Sequence, residues 1–290
     1  MSPQPAHPIT PWAPLIINVA LTGVVTTREH TPAVPFTAEE IGVDAAACAA
    51  AGATVVHLHA RTAGGGQRFG RDAYAPAVAA VRQRCPQLIL CLTSTGRSGA
   101  GLAERAAPLE LGPELASLTL GSVDFGRTGR GGNDAGEIRF LIERMREHGV
   151  RPEFEIFDLG MVDELHRLIG EGLAEPPFVV NLMLGFPNAA DADAGSLVRL
   201  VEALPDGTHW SAGARGAYQR PVAMLAAAAG GGIRTGLEDN PFSDHLTRAP
   251  ATNAGLVAEA AGFASALGRP LADSAQTREL LGLTPAATVA

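Results

Sequence analysis

Short apolar runs alternate with longer amphipathic segments along the chain, and this alternation limits the possible folds more than any other feature of the sequence. Apolar runs bounded by turn residues predict buried strands, and the segments between them have the spacing of helices with one apolar face. The eight predicted strands are Leu15–Leu21, Thr54–His59, Leu88–Thr93, Leu115–Leu120, Pro152–Phe157, Phe178–Leu184, Thr208–Ala212 and Gly232–Thr235. The predicted helices are Ala38–Ala51, Asp72–Arg84, Ala135–His148, Met161–Glu171, Ala194–Leu204, Gln219–Ala229 and Thr252–Leu267, with a shorter one near Leu102–Ala107.

Strands that alternate with helices in this number are typical of a (β/α)8 TIM barrel. An open, doubly wound sheet is the alternative, and it would be expected to carry a glycine-rich phosphate turn after its first strand. Here the first strand continues into Leu21-Thr-Gly-Val-Val, which does not match G-x-G-x-x-G. We therefore predict one TIM-barrel domain over residues 1–290, with a proline-rich N-terminal extension at about residues 1–14 and a short flexible tail at Pro285–Ala290.

The composition argues against nucleic acid and membrane partners. The net charge is -8, and the strongest basic feature, Arg127-Thr-Gly-Arg130, is too small to bind a nucleic acid duplex. No apolar run approaches the ~20 residues of a membrane span, and the N-terminus lacks the order of a signal peptide. Cys48, Cys85 and Cys91 form no C-x-x-C pair and are predicted to be buried, reduced thiols. We predict a cytoplasmic protein.

Polar side chains at the carboxyl ends of the predicted strands are the candidates for function, because the active site of a TIM barrel lies at that face. A functional site is expected where these side chains meet. They are Thr22, His57, His59, Thr93, Ser94, Thr95, Ser117, Thr119, Glu153, Glu155, Asn181, Ser211, Arg234, Glu238 and Asp239.

The pair His57-Leu-His59 at the end of the second strand predicts a metal site. Strand side chains alternate between faces, so both imidazoles point the same way and can share one ion. Two histidines that are satisfied by ordinary hydrogen bonds are the competing interpretation. Glu238, just past the eighth strand, is the candidate third ligand, although Glu238-Asp239 could equally be a solvated loop. Two histidines and one carboxylate, with open positions left, suit zinc acting as a Lewis acid.

Motifs distributed from about Leu15 to Leu281 carry a family resemblance. In chain order they are Ala20-Leu-Thr-Gly23 with Thr26-Thr27-Arg28, Gly52-Ala53-x-Val55-Val56-His57-Leu58-His59-x-Arg61, Ser94-Thr95-Gly96, Pro152-Glu153-x-Glu155, Gly160-Met161-Val162, and Ile233-Arg234-x-Gly236-x-Glu238-Asp239-Asn240. With these motifs the chain resembles the β-keto acid cleavage enzymes. The resemblance implies a zinc-dependent TIM barrel that forms a homo-oligomer, with a tetramer favoured. It also implies an acyl-CoA-forming enzyme, which condenses a β-keto acid with acetyl-CoA to give acetoacetate and a new acyl-CoA.

The resemblance assigns roles to residues by motif. His57, His59 and Glu238 match the zinc ligands of the family, and Ser94 matches a serine that contacts substrate. Ser117 stands where the family has a substrate-contacting threonine, so a hydroxyl is retained. Glu155, Arg234 and Asp239 match polar residues of the family's active site.

The chemistry of the reaction suggests a function for each of these polar groups. Asp239 is the candidate base for a C2 proton of the keto acid, acting directly or through a water held by Arg234. Arg234 and Ser94 would stabilise oxyanions as they develop, and Glu155 would orient a zinc-bound histidine or the substrate. The segment Gly121–Gly132 is either a mobile loop or a docking site for the phosphates of CoA.

Two positions depart from the family members that act on a cationic amino-keto acid. Those enzymes have a glutamate against the substrate's amino group where this chain has Val25, and a glycine where it has Arg97. A pocket that loses an anion and gains a cation is predicted to prefer a β-keto acid with an anionic or polar far end. Arg97 would contact that end, contact the phosphates of CoA, or point to solvent.

Two other functions remain open at this point. An amidohydrolase-type metal hydrolase also uses H-x-H at a barrel strand end, but it normally needs further histidines at later strand ends. None of the remaining histidines ends the fifth or sixth predicted strand. The third possibility is a non-catalytic barrel that binds a metal or a keto acid as a sensor, and the set Arg234, Glu238 and Asp239 argues against it.

Overall fold

Eight parallel strands close into a barrel that is surrounded by helices, so the predicted TIM-barrel fold is confirmed. The computed structural model describes residues 13–95, 99–126 and 129–284. The predicted N-terminal extension lies mostly, and the predicted C-terminal tail entirely, outside these described residues. The barrel strands are β1 (Ile17–Ala20), β2 (Val55–Leu58), β3 (Ile89–Thr93), β4 (Leu115–Thr119), β7 (Arg151–Ile156), β8 (Phe178–Leu184), β9 (Thr208–Ala214) and β10 (Gly232–Thr235). Hydrogen bonding runs around the barrel in the strand order β1-β10-β9-β8-β7-β4-β3-β2.

The helices lie close to their predicted positions, and the structure adds elements that the periodicity did not indicate. Two short antiparallel hairpins extend from the carboxyl-end loops, β5 (Ser122–Asp124) with β6 (Arg130–Gly132) and β11 (Phe242–Asp244) with β12 (Ala249–Pro250). The α-helices are α1 (Ala38–Ala51), α2 (Arg71–Arg84), α3 (Leu102–Ala106), α4 (Ala135–Glu147), α5 (Leu159–Gly170), α6 (Ala194–Ala203), α7 (Gln219–Ala229), α8 (Asn253–Ala266) and the unpredicted α9 (Ser274–Leu280). Among the described residues, none of these helices combines the length and apolar character that crossing a bilayer requires.

The interior of the barrel changes from apolar to polar between its amino and carboxyl ends. Near the amino end, inward side chains including Val55, Ile89 and Leu115 pack with Val179 in one apolar cluster. His57 lies two residues after Val55 on β2. It faces the same interior, because side chains two residues apart on a strand share a face. The polar groups therefore collect at the carboxyl-end face, which the apolar layer supports from below.

A buried polar link fixes the start of α8 to the loops that carry the functional face. The Asn253 side chain donates to the carbonyl of Leu21 at 3.1 Å and to the Asp44 carboxylate at 2.6 Å, and it accepts from the Leu237 amide at 2.8 Å. Asn253 is fully buried. It thus holds the chain after β1, the chain after β10 and helix α1 in one arrangement.

Asp44 in this link gives the stability of the protein a specific pH dependence. Burial raises the pKa of Asp44 to about 6, against the hydrogen bond from Asn253 that lowers it. In the unfolded chain an aspartate titrates near ~3.9, so the unfolded state ionises first as the pH rises. The free energy of unfolding should therefore fall between pH 4 and pH 6 by up to about 3 kcal/mol from this group, and then stay level.

Replacing Asp44 by asparagine should remove the loss of stability that the ionisation of Asp44 causes. We expect Asp44→Asn to be more stable than the wild type at pH 7 and to lose the advantage as the pH falls to 4, measured by urea unfolding at both pH values. Asp72→Asn, at an almost fully exposed carboxylate, is the matched control and should show no such difference. An Asp44→Asn protein whose stability tracked the wild type at every pH would contradict this assignment.

Candidate metal centre and active site

His57, His59 and Glu238 converge at the carboxyl end of the barrel. Their ligand atoms all lie within 4.8 Å of one another. Nε2 of His57 is 3.6 Å from Glu238 Oε2, and Nε2 of His59 is 3.3 Å from Glu238 Oε1. His57 lies on β2, and His59 lies one residue past its end, so the strand brings both rings to the same face.

Several polar atoms of this group have no hydrogen-bond partner among the described residues. They are both ring nitrogens of His57, Nδ1 of His59 and Oε2 of Glu238, all buried. Unpaired buried polar atoms are costly and rare in folded proteins. Imidazole nitrogens and a carboxylate are the donor set of catalytic zinc sites, and these three residues would leave further coordination positions open. The arrangement therefore fits a bound divalent metal.

Two glycines allow Glu238 to approach the histidines. Gly23 adopts a positive φ of 49°, and a Cβ there would lie 2.6 Å from Cγ of Glu238. Gly236 has a φ of 140°, and a Cβ there would lie 2.2 Å from the carbonyl oxygen of Ala20. Any other residue at either position would push the chain after β10 away from β1, so Gly23 and Gly236 set the position of Glu238.

Thr22 and Arg61 hold the backbone around His59. The Thr22 hydroxyl donates to the carbonyl of His59 and accepts from its amide, both at 2.9 Å. Arg61 donates to the carbonyls of Thr22 at 3.1 Å and Thr26 at 2.6 Å. These bonds tie the loop after β1 to the end of β2, which fixes the His59 ring relative to the loop that carries Val25.

Arg234 is a buried cation surrounded by three carboxylates. Its side chain is 1% exposed. Nε donates to Asp239 at 3.1 Å, Nη1 to Glu155 at 3.2 Å and Nη2 to Glu238 at 3.0 Å. Glu155 also accepts from the Thr119 hydroxyl at 2.9 Å. A single guanidinium thus orients the candidate third ligand and the candidate base, since Glu238 and Asp239 accept hydrogen bonds from different nitrogens of the planar group.

The protonation states of the group follow from burial and from these charges. Burial lowers the pKa of His57 well below its usual value, so the ring is neutral and has a free lone pair. Burial alone would raise the pKa of Glu238, but His59 and Arg234 outweigh it and lower the pKa well below 4.5, so Glu238 is a carboxylate. For Asp239, burial together with the charges of Glu238 and Glu155 raises the pKa to about 6, with Arg234 opposing the rise. Asp239 is the more basic of the two neighbouring carboxylates.

A cavity of about 590 Å³ opens above these residues. Its volume lies in the range of small-molecule sites, about 300–1,000 Å³. Its polar floor contains His59, Glu155, Arg234, Glu238 and Asp239, and its walls are formed mainly by aromatic, aliphatic and cationic side chains. Val25 lines this cavity and is 44% exposed, so its side chain is placed where it can contact a ligand.

Ser94 and Ser117 do not lie on the wall of this cavity as far as the structure describes it. The Ser94 hydroxyl donates to the carbonyl of Ser117 at 2.5 Å. Alternation along β3 explains the position of Ser94, because Thr93 points into the barrel and Ser94, the next residue, points out of it. Thr93 and Thr95 line the cavity in its place. Contact of Ser94 or Ser117 with a substrate therefore remains a prediction. The predicted site residue Arg97 lies outside the described residues.

Two groups of residues at the site were given no role by the sequence analysis. Beneath His57, the buried carboxyl group of Glu153 accepts from Asn18 at 2.7 Å and from the thiol of Cys91 at 3.2 Å. Burial raises the pKa of Glu153 to about 7. On the cavity wall, His30 and His245 face the ligand space from loops. The sequence analysis included Glu153 among the polar residues of the strand ends. His30 and His245 lie on loops, where nothing in the local sequence pattern distinguishes them.

The segment Gly121–Gly132 forms the β5–β6 hairpin in its described part. Arg130 is exposed at the start of β6, and Arg127 lies outside the described residues. Across from the hairpin, Nη1 of Arg215 lies 3.5 Å from the position that a Cβ of Gly126 would take. The predicted interaction with the phosphates of CoA stays a prediction.

Comparison with known proteins defines the class to which this barrel and its site belong. The family model of the beta-keto acid cleavage enzyme matches residues 14–283. The chain belongs to this family, and the predicted resemblance is confirmed. It is therefore a β-keto acid cleavage enzyme.

The relatives within this class act on different substrates. The chain is 35% identical over 269 residues to a "3-keto-5-aminohexanoate cleavage enzyme" of Fusobacterium nucleatum, covering 93% of this chain and 98% of the relative. It is 37% identical over 274 residues to a "3-oxoadipate:acetyl-CoA acetyltransferase" of Cupriavidus necator, covering 93% and 95%. The solved apo structure of ObcA superposes with a TM-score of 0.76 at 24% identity over 87% of this chain and 66% of ObcA, which supports the fold.

Proposed function

We propose that the chain is a zinc-dependent enzyme that condenses a β-keto acid with acetyl-CoA and releases acetoacetate and a new acyl-CoA. The observation that carries this proposal is the convergence of His57, His59 and Glu238 within 4.8 Å, with His59 and Glu238 at the floor of a ligand-sized cavity. The names of relatives that use acetyl-CoA, such as the Cupriavidus necator enzyme, support the co-substrate.

Zinc held by these three residues would act as a Lewis acid on the keto group of the substrate and make its C2 protons more acidic. Asp239 would take the C2 proton, since it lies beside Glu238 and its raised pKa of about 6 makes it a base that works near neutral pH. Arg234 fixes the Asp239 carboxylate through Nε, so the base has one orientation at the cavity floor.

The steps after proton removal transfer the acetyl group to C2 and then break the C2–C3 bond. Carbon C2 attacks the acetyl carbonyl and the CoA thiolate leaves; the thiolate then attacks the original keto carbon, and the C2–C3 bond breaks with its electron pair on C2. The proton on Asp239 returns to C2 and gives acetoacetate. Arg234 would stabilise the negative charge that forms on oxygen in these steps, and Glu155 would hold Arg234 in place.

The experiment that tests the function is a panel of β-keto acids that differ in the charge of the far end, each incubated with acetyl-CoA and the zinc-loaded protein. We expect acetoacetate and a new acyl-CoA in equal amounts. Ester or amide hydrolysis that does not need CoA would instead indicate the amidohydrolase-type activity, and zinc binding without any turnover would indicate a sensor.

The substrate is not expected to be the cationic 5-amino-3-oxohexanoate, because Val25 presents no carboxylate to the cavity. Exchanging Val25→Glu should raise kcat/KM for this amino-keto acid about fivefold relative to a neutral keto acid, the effect of a partly exposed ion pair worth about 1 kcal/mol. Val25→Gln, which has the same shape without the charge, is the control. An unchanged preference in Val25→Glu would remove this residue from the specificity of the enzyme.

We also propose a homo-oligomer, with a tetramer favoured, as the family resemblance implies. Light scattering on the purified protein tests the oligomeric state.

A further inference from the structure

One wall of the cavity contains a cluster of side chains that the proposed reaction does not use. Phe242 lies at its centre, and its ring centroid is 6.4 Å from that of His30 and 5.5 Å from that of His245. The guanidinium of Arg248 lies over the same ring, 4.7 Å from its centroid. All four side chains line the cavity that has His59 and Glu238 at its floor. We call His30, Phe242, His245 and Arg248 the Phe242 cluster.

Asn240 links the Phe242 cluster rigidly to the candidate catalytic residues. It is buried and follows Asp239 directly in the chain. Its Oδ1 accepts from the Phe242 amide at 3.1 Å and lies 2.8 Å from Nε2 of His245, and its Nδ2 donates to the Phe242 carbonyl at 2.9 Å. The cluster therefore has a fixed position relative to Asp239, which a specificity site needs.

Arg248 and His30 offer hydrogen-bond donors to the cavity. Arg248 adopts a positive φ of 56°, which is uncommon for a residue with a Cβ. His30 accepts a hydrogen bond from the Thr27 amide at Nδ1, 3.1 Å away. Its Nε2 then carries the proton and is free to donate to a ligand.

The charged groups of the cavity lining are divided between a floor that holds the carboxylates and a wall that holds further arginines. Its described carboxylates are Glu155, Glu238 and Asp239, and each is paired with Arg234. Three carboxylates and one guanidinium leave the floor with a formal charge of minus two, which a divalent metal would cancel. Arg248 belongs to the rest of the lining, which contains no described carboxylate and which we call the upper cavity. Arg248 forms no ion pair with any described carboxylate, so the upper cavity attracts negative charge and repels an ammonium group.

We infer that the Phe242 cluster binds the distal carboxylate of a β-keto dicarboxylic acid. The Arg248 guanidinium would pair with that carboxylate, His30 would donate to it from Nε2, and the Phe242 ring would pack on the methylene carbons between the two ends. This inference rests on the proposed function. It assigns the far end of the substrate, which Val25 alone leaves open, to residues of the β11–β12 hairpin and to His30 in the loop after β1.

The phosphates of CoA are the other anions that could reach the upper cavity. Arg215 stands on the side of the β5–β6 hairpin, against Gly126, whereas Arg248 stands on the chain that continues from Glu238 and Asp239. The placement of Arg248 on the segment of the candidate catalytic residues favours the keto acid as its ligand. The experiment below separates the two sources.

The test compares 3-oxoadipate with 3-oxohexanoate, two six-carbon keto acids that differ only in whether the far end is a carboxylate or a methyl group. In Arg248→Gln we expect KM for 3-oxoadipate to rise about tenfold, the loss of one charge-assisted hydrogen bond of about 1.4 kcal/mol. KM for 3-oxohexanoate and for acetyl-CoA should stay within about twofold of the wild type, as expected away from such contacts. Arg248→Lys should recover most of the loss, and Arg215→Gln should affect both keto acids alike.

Three outcomes would overturn the inference. One is an equal loss for both keto acids in Arg248→Gln, which would indicate a structural role. Another is a rise in KM for acetyl-CoA that disappears when the acetyl group is carried by N-acetylcysteamine, which has no phosphates and would identify the anion as CoA. The third is calorimetric binding of 3-oxoadipate to the zinc-loaded protein that is no weaker in Arg248→Gln. Calorimetry tests the inference even if no keto acid is turned over. The absence of turnover would refute the proposed function, not this inference.

Discussion

Asp239→Asn should bind zinc as the wild type does and lose turnover by a factor of about 10²–10⁴, the usual contribution of a general base. Asparagine keeps an oxygen that can accept from Nε of Arg234, so the fork of hydrogen bonds survives. It has no basic oxygen with a pKa near 6, so the C2 proton of the keto acid has no acceptor at this position. Metal content by atomic emission and kcat with the best keto acid measure the two effects.

Glu238→Gln is the matched partner of this variant, because it changes the neighbouring carboxylate in the same way. We expect it to lose zinc together with turnover, since a neutral amide replaces the charged ligand next to His57 and His59. The comparison separates metal binding from proton transfer at adjacent residues. If Asp239→Asn turned over at the wild-type rate, Asp239 would not be the base; if Glu238→Gln retained full zinc, Glu238 would not be a ligand.

Arg234→Met should be strongly destabilised, by about 3–5 kcal/mol in the metal-free protein, because a buried guanidinium that pairs with three carboxylates is lost. The methionine fills similar space, but Asp239, Glu155 and Glu238 would then face one another without the guanidinium that pairs with each. Urea unfolding of chelator-treated protein measures the loss. The carboxylates would take up protons to reduce their repulsion, so the defect should shrink at acidic pH.

Two comparisons make the Arg234 prediction specific. Arg234→Lys keeps the charge but cannot reach three carboxylates at once, so its stability should lie between that of the wild type and that of Arg234→Met. Added zinc should recover part of the stability of Arg234→Met, because the ion would supply positive charge beside Glu238. Equal stability of Arg234→Met and the wild type without metal would show that the three carboxylates are not all ionised.

The sequence predicted the barrel because each barrel strand and each long helix carries its own local signal. Phe178–Leu184 and Gly232–Thr235 are strands with the bounds that their apolar runs indicate. Helix α9 was missed because Ser274–Leu280 is short and has no clear apolar face. The β5–β6 and β11–β12 hairpins have strands of only two or three residues, too short for any periodicity to appear.

The site could be predicted as far as it depends on strand ends, and no further. His57, His59 and Glu238 come together because the carboxyl ends of β2 and β10 lie on either side of β1. Ser94 was expected on the cavity wall, but its place depends on which way a single residue past β3 points, and the structure turns it toward Ser117. His30 and Arg248 lie on loops, where no periodic pattern exists and only the folded chain brings distant residues together.

The measurement that tests the proposed function most directly is a zinc titration of the chelator-treated enzyme, followed by acetoacetate formation from a β-keto acid and acetyl-CoA labelled in its acetyl group. We predict no activity without metal, a linear rise that ends at one zinc per chain, and the acetyl label in acetoacetate rather than in the new acyl-CoA. Full activity of the metal-free protein, or label released as acetate, would contradict the zinc-dependent cleavage proposed for this site.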